Sequence, residues 1–228
     1  MIEFLFLDLD DTILDFHKAE RIALSKTLRD FSLEPTDEVL TRYHAINAQH
    51  WRRLERREID RQEVLVGRFR VLFEELGMEI DAGAVMKAYE RNLSMGHYFL
   101  PGALEAVQRL HKKYRLFLAS NGTAVVQHSR LQSAGLYPYF EQVFISQEVG
   151  FDKPSKEYFA ACFAKIPGFR VGSAMMVGDS LTSDMLGGLN AGMHTCWIAP
   201  ASTPARADIV PEYRLESLTQ LEKLLETL

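Results

Sequence analysis

The segment Phe4-Leu5-Phe6-Leu7-Asp8-Leu9-Asp10-Asp11-Thr12 is an apolar run that stops abruptly in carboxylates. The run is too short for the apolar core of a signal peptide, and Glu3 interrupts it. A continuous rather than alternating apolar run is the signature of a parallel strand covered on both faces. Ligands of open α/β sheets sit outside the carboxyl ends of such strands, so Asp8 and Asp10 point to where chemistry is done. Ordinary turn and helix-cap chemistry accounts for Asp11 and Thr12. It does not account for Asp8 and Asp10: at about 4 Å and an effective dielectric of about 20, like charges repel by roughly 4 kcal/mol. Such a pair calls for a nearby cation, or for one member to hold a proton.

Three further segments supply the compensation. Tyr114-Arg115-Leu116-Phe117-Leu118-Ala119 reads as a second strand ending at Ser120-Asn121-Gly122-Thr123, where small polar side chains and a glycine leave backbone N–H groups to hold an anion. By itself this segment is also a common turn. Val143-Phe144-Ile145 leads to Gly150-Phe151-Asp152-Lys153-Pro154, with Ser155 able to cap a helix over Lys156 to Lys165. A lysine fixed there can neutralise the acids and grip a phosphate. Ala174-Met175-Met176-Val177-Gly178-Asp179-Ser180-Leu181-Thr182-Ser183-Asp184 is again a buried strand ending in acids. Gly178 permits close backbone approach, and Asp179 and Asp184 offer hard oxygen atoms that suit Mg²⁺ or its surroundings.

The intervening texture differs. Between the first two segments lie about a hundred residues rich in helical periodicity: Ala19 to Phe31, Thr36 to Glu58, Arg61 to Leu76 and Ala82 to Met95, punctuated by Pro35, Gly77 and Gly96. Alternating strands and helices resume at Pro101 and run to a helix near Leu215 to Leu225. The expected architecture is α/β: a doubly wound, Rossmann-like parallel sheet with a helical insert after its first strand. The boundaries predicted are 1–16 with 97–228 for the core and 17–96 for the insert, with hinge-compatible residues at Gly96, Pro101 and Gly102. The arginines of Trp51 to Glu58 read as a solvated face laced with Glu-Arg pairs.

Composition excludes several classes. In 228 residues, 47% are apolar and the net charge is -5, which argues against a long nucleic-acid surface but not against a single nucleotide. No stretch reaches the roughly 18 apolar residues of a membrane span. Cys162 and Cys196 stand outside any metal-spacing motif, as expected of buried thiols in a reducing cytoplasm.

Taken in order, Asp8-x-Asp10-x-Thr12, Ser120, Lys153 and Gly178-Asp179 with Asp184 resemble the four motifs of the haloacid dehalogenase-like hydrolase superfamily. The resemblance spans most of the chain and implies a phosphomonoester hydrolase with a covalent aspartyl-phosphate. It assigns Asp8 as nucleophile and Asp10 as general acid and base. Mg²⁺ would be held by Asp8, the Asp10 carbonyl and Asp179. Ser120, Asn121 and Lys153 would bind the phosphate, with Thr12 and Asp184 in supporting positions and the insert as a helical cap. Dehalogenases of the superfamily lack the acid two residues after the nucleophile, so Asp10 favours phosphate esters. A phospho-acceptor receiver shares the residue types but would leave the helical insert without a role.

The stretch Asp8 to Phe16, with Glu20, Ala23-Leu24 and Ser120-Asn121-Gly122, is similar to the pyrimidine 5'-nucleotidase branch. Phosphoglycolate phosphatase and β-phosphoglucomutase branches usually have Gly where Asp11 stands. The expected partner is a small phosphate ester, a nucleoside 5'-monophosphate first and phosphoglycolate or a sugar phosphate as alternatives, with no nucleic-acid polymer and no membrane. Phe16, His17, His44, His50 and Trp51 are left without an assigned contact to the leaving group.

Overall fold

The computed structural model describes residues 1–228 and divides them into two compact units, Met1–Phe16 with His97–Leu228, and His17–Gly96. Strands β1 (Phe4–Leu7), β2 (Arg115–Ser120), β3 (Gln142–Ile145), β4 (Ala174–Gly178), β5 (His194–Ile198) and β6 (Tyr213–Leu215) form one sheet in the order β3-β2-β1-β4-β5-β6. Every pairing is parallel. Because β1 lies between β2 and β4, the chain winds outward in both directions from it, and the crevice at this reversal opens beyond the carboxyl end of β1.

Both faces of β1 are buried, which is why its sequence does not alternate. Leu5 and Leu7 pack with Val107 and Leu110 of α5 (Ala103–Leu110) and Leu221 of α10 (Leu221–Leu225). Phe4 and Phe6 pack on the opposite face with Tyr158 and Phe159 of α8 (Lys156–Phe163). Phe6 stacks on Phe117 at 5.1 Å between centroids. Emptying one such buried ring to alanine typically costs about 3–5 kcal/mol.

The second unit is helical: α1 (Phe16–Asp30), α2 (Asp37–Glu55), a π-helical turn at Glu63–Gly67 continuing into α3 (Arg68–Glu75), and α4 (Ala82–Leu93). Thr36 and Asp81 cap α2 and α4, their side chains accepting from Val39 N–H and from the N–H groups of Gly83 and Ala84. Tyr43, Phe69 and Tyr89 form a buried aromatic cluster. Arg68 lies against all three rings and donates to Asn47 Oδ1 at 2.7 Å. Asn47 in turn donates to the buried Glu20 at 2.6 Å, whose other oxygen meets His44 Nδ1 at 2.6 Å.

Three details differ from the sequence expectation. The C-terminal helix is only α10, because Tyr213–Leu215 extends the sheet as a half-exposed edge strand too short to carry a periodicity. The second strand is shifted by one residue and includes Ser120. Helix α2 stops at Glu55, and Arg57 takes a left-handed φ of 58°. The neighbouring arginines pair with Glu58 at the surface, as a solvated face does. His50 turns inward and its Nδ1 meets Ile46 O at 2.8 Å, while Trp51 carries the Arg61 guanidinium over its ring.

Candidate active site

The acids stand where the strands end. Asp8 follows β1 directly, its N–H bonded to Val177 O of β4 at 3.0 Å. Asp179 follows β4, and Asp184 lies one turn on, where Leu181–Met185 leads into α9 (Leu186–Ala191). One carboxylate oxygen from each of Asp8, Asp179 and Asp184 lies within 4.8 Å of the others. Gly178 makes this approach possible: a Cβ there would fall 2.2 Å from Asp184 Oδ2.

Lys153 answers the charge. Its ammonium, 1% exposed, donates to Asp8 Oδ1 at 2.7 Å, to Asp184 Oδ1 at 2.6 Å and to Ala119 O at 2.6 Å. All three N–H donors are therefore matched to acceptors. The main chain of Lys153 is held by Asn121, which accepts from its N–H and donates to its carbonyl, both at 2.9 Å. A cis peptide joins Lys153 to Pro154. The Asn121 side-chain amide is thus engaged with Lys153 and also donates to Ser183 Oγ at 3.3 Å. Asp184 Oδ2 accepts from Ser180 N–H at 3.1 Å.

Burial and crowding dominate the electrostatics. Burial, then the nearby Asp184 and Asp10 carboxylates, push Asp8 up to about 8 even though Lys153 draws it down. Asp179 is raised well above the ordinary range by burial, Asp184, Asp8 and Asp11. Burial works against the charge on Lys153, but Asp184 and Asp8 outweigh it and hold the ammonium protonated.

Asp10 is turned from this cluster. Its Oδ1 accepts from Arg130 and its Oδ2 from Gln127 at 2.7 Å, both residues of α6 (Ala124–Ser133). Ser120 Oγ accepts from Gln127 at 2.8 Å and from Gly122 N–H at 3.1 Å. With both lone pairs of the hydroxyl taken, its one O–H remains to serve as a donor. Asp11 adopts a left-handed φ of 54°, a conformation Asp tolerates better than most residues. Its carboxylate accepts from Phe16 N–H at 2.9 Å at the head of α1, as turn chemistry predicts. Thr12 is buried, and its Oγ1 makes no hydrogen bond.

The model of the haloacid dehalogenase-like hydrolases matches residues 2–192 of the chain. The chain belongs to this hydrolase family. Among haloacid dehalogenase-like hydrolases, it is 38% identical to YfnB of Bacillus subtilis over 97% of the chain and 94% of the relative. It is 35% identical to the pyrimidine 5'-nucleotidase PynA of Streptococcus pneumoniae, covering 98% of the chain and 95% of PynA. With the pyrimidine 5'-nucleotidase YjjG of Escherichia coli the identity is 30%, over 98% and 97%. The crystal structure of magnesium-bound YfnB superposes with a TM-score of 0.94 over 98% of each chain.

In this haloacid dehalogenase-like hydrolase, the four segments singled out in the sequence converge at the carboxyl end of the sheet. Gln127 and Arg130 were not legible there, since polar residues on a helix between two strands read as solvent-facing. The donor set of Asp8 and Asp179 fits a hard dication: carboxylates crowded around a single ammonium leave negative charge to neutralise, and oxygen ligands suit Mg²⁺. Asp184, with both oxygens already accepting, is placed to orient its neighbours.

Proposed function

We propose that the chain is a Mg²⁺-dependent phosphomonoester hydrolase working through an aspartyl-phosphate on Asp8, with pyrimidine nucleoside 5'-monophosphates as its substrates. The observation that carries this reading is the triangle of Asp8, Lys153 and Asp184, a buried carboxylate aimed by an ammonium whose other donors are already taken. A merely structural ion pair would not need Asp10 two residues on.

Mg²⁺ would be held by Asp8, Asp179 and the Asp10 carbonyl, and when bound it supplies electrophilic stabilisation of the phosphoryl oxygens. Asp8 attacks phosphorus, forming an O–P bond as the P–O bond to the leaving group breaks. For the first step Asp10, ion-paired with Arg130 here, has to carry a proton; it gives that proton to the departing oxygen and then takes one from the water that cleaves the aspartyl-phosphate, regenerating Asp8 and releasing phosphate. Ser120 donates its hydroxyl hydrogen to a phosphoryl oxygen. Lys153 holds Asp8 in one rotation and offsets the charge that the phosphate brings.

The nucleotide assignment draws on the names of PynA and YjjG and on their coverage of nearly the whole chain. The magnesium in YfnB supports the metal assignment. The helical unit is the cap of this reading, and selection of the base is assigned to it. The test is a comparison of kcat/KM for thymidine, uridine, adenosine and guanosine monophosphates with phosphoglycolate and hexose phosphates. Pyrimidine nucleotides are expected to lead. A tenfold advantage for phosphoglycolate or a hexose phosphate, about 1.4 kcal/mol of transition-state preference, overturns the substrate while leaving the chemistry. Asp8→Asn is expected to lower turnover by at least about 10³-fold, and a fully active variant, or full activity in a chelator, overturns the chemistry.

A further inference from the structure

Asp10 is gripped by two side chains from outside the four strand-end segments. Gln127 and Arg130 stand three residues apart on α6 and so share one helix face. Both are buried, Arg130 completely. A guanidinium is rarely buried without a paired charge, and Arg130 meets Asp10 Oδ1. The same Arg130 nitrogen donates to Gln127 Oε1 at 2.9 Å, which fixes the amide so that Gln127 Nε2 faces Asp10 Oδ2 and Ser120 Oγ together. Gly122 keeps the path clear, because a Cβ there would lie 2.4 Å from Gln127 Nε2. The Arg130 guanidinium also sits 5.9 Å from the centre of the Phe16 ring. Both oxygens of Asp10 are thus located by donors, and one amide ties that carboxylate to the Ser120 hydroxyl.

We propose that Gln127 and Arg130 are positioning residues for proton transfer: they fix the rotation of the Asp10 carboxylate and hold it in register with Ser120. The inference rests on the phosphatase reading above. A proton-transfer group displaced by about 1 Å can lose about 10²-fold in rate, and that loss is largest where the leaving group most needs a proton.

The test measures kcat/KM for Gln127→Met and Arg130→Lys on a series of phosphate esters running from nitrophenyl through phenyl to alkyl. Each substitution is made alone and on an Asp10→Asn background. Gln127→Met keeps the buried cation and removes only hydrogen bonds, so it carries the test if Arg130→Lys does not fold. Losses of about 10- to 100-fold on alkyl esters are expected, with nitrophenyl phosphate changed by less than about threefold. On the Asp10→Asn background, the further loss with phenyl phosphate is expected to stay below about threefold, because residues acting through one group are not additive. Equal losses along the series overturn the proposal, as do undiminished losses on the Asp10→Asn background or an alkyl-ester rate equal to wild type. A wild-type protein that turns over none of these esters defeats the phosphatase reading and this one with it, whereas an active wild type with additive losses defeats only the positioning role.

Discussion

The ammonium of Lys153 donates to Asp8 Oδ1 at 2.7 Å across 145 residues of chain, and to Asp184 Oδ1 on its other side. One buried cation therefore ties the end of β1 to the turn that follows β4 and, through Ala119 O, to β2.

Replacing Lys153 with methionine leaves two buried carboxylates without their counter-charge. Breaking a buried ion pair from one side costs about 3–5 kcal/mol, and urea denaturation is expected to show a loss of that size. On the phosphatase reading, activity should fall alike on all phosphate esters, because Lys153 bonds Asp8, the proposed nucleophile. Keeping the charge with Lys153→Arg is not expected to preserve activity either, since three acceptors surround a single nitrogen and a planar guanidinium cannot offer three N–H groups from one atom. A Lys153→Arg enzyme with near-wild-type turnover would contradict this geometry.

Gly178→Ala introduces a Cβ 2.5 Å from Asp184 Cγ and 2.9 Å from its Cβ. Asp184 must then move, disturbing its bonds to Lys153 and to Ser180 N–H. Loss of such an orienting group typically weakens metal affinity or activity by about 10- to 100-fold. The Mg²⁺ concentration for half-maximal activity is the measurement, and an unchanged value would show that Asp184 does not orient the acids.

Cys162 and Cys196 are buried, and burial pushes each thiol up to about 12. The reactive thiolate is then about one part in 10⁴ at pH 8. A disulfide-exchange reagent at that pH is expected to titrate neither thiol in the native protein within minutes and both after unfolding in denaturant. Native reactivity should rise as pH climbs toward the raised values, since deprotonation then supplies the thiolate. Rapid reaction of either thiol at pH 8 would place it in an accessible state that this fold does not have.

The strands and their acids were legible because burial on both faces forces an uninterrupted apolar run, and a carboxylate ending such a run is conspicuous. Phe4 to Leu7 with Asp8, and Ala174 to Gly178 with Asp179, follow that rule. The helical segment was legible from its period and from its punctuation at Pro35, Gly77 and Gly96, whereas the caps Thr36 and Asp81 at the starts of α2 and α4 came from the structure. Tyr213–Leu215 was not, because a three-residue edge strand with one exposed position carries no pattern. Asn121 was expected at a phosphate, and only the folded chain showed its side chain clasping the main chain of Lys153.

By itself the sequence determined the α/β class, the helical segment after the first strand and the acids at the strand ends, since each follows from local burial and periodicity. Tertiary structure alone decided which polar groups meet. Gln127 and Arg130 look like solvent-facing residues of an amphipathic helix, yet they lie buried against Asp10, more than a hundred residues earlier in the chain. Glu20, Asn47 and Arg68 form a buried relay across three helices in the same way. The physical reason is that apolar burial is non-directional and leaves its mark on local sequence, whereas a buried charge is tolerable only beside a specific partner, and that partner is chosen by how the elements pack.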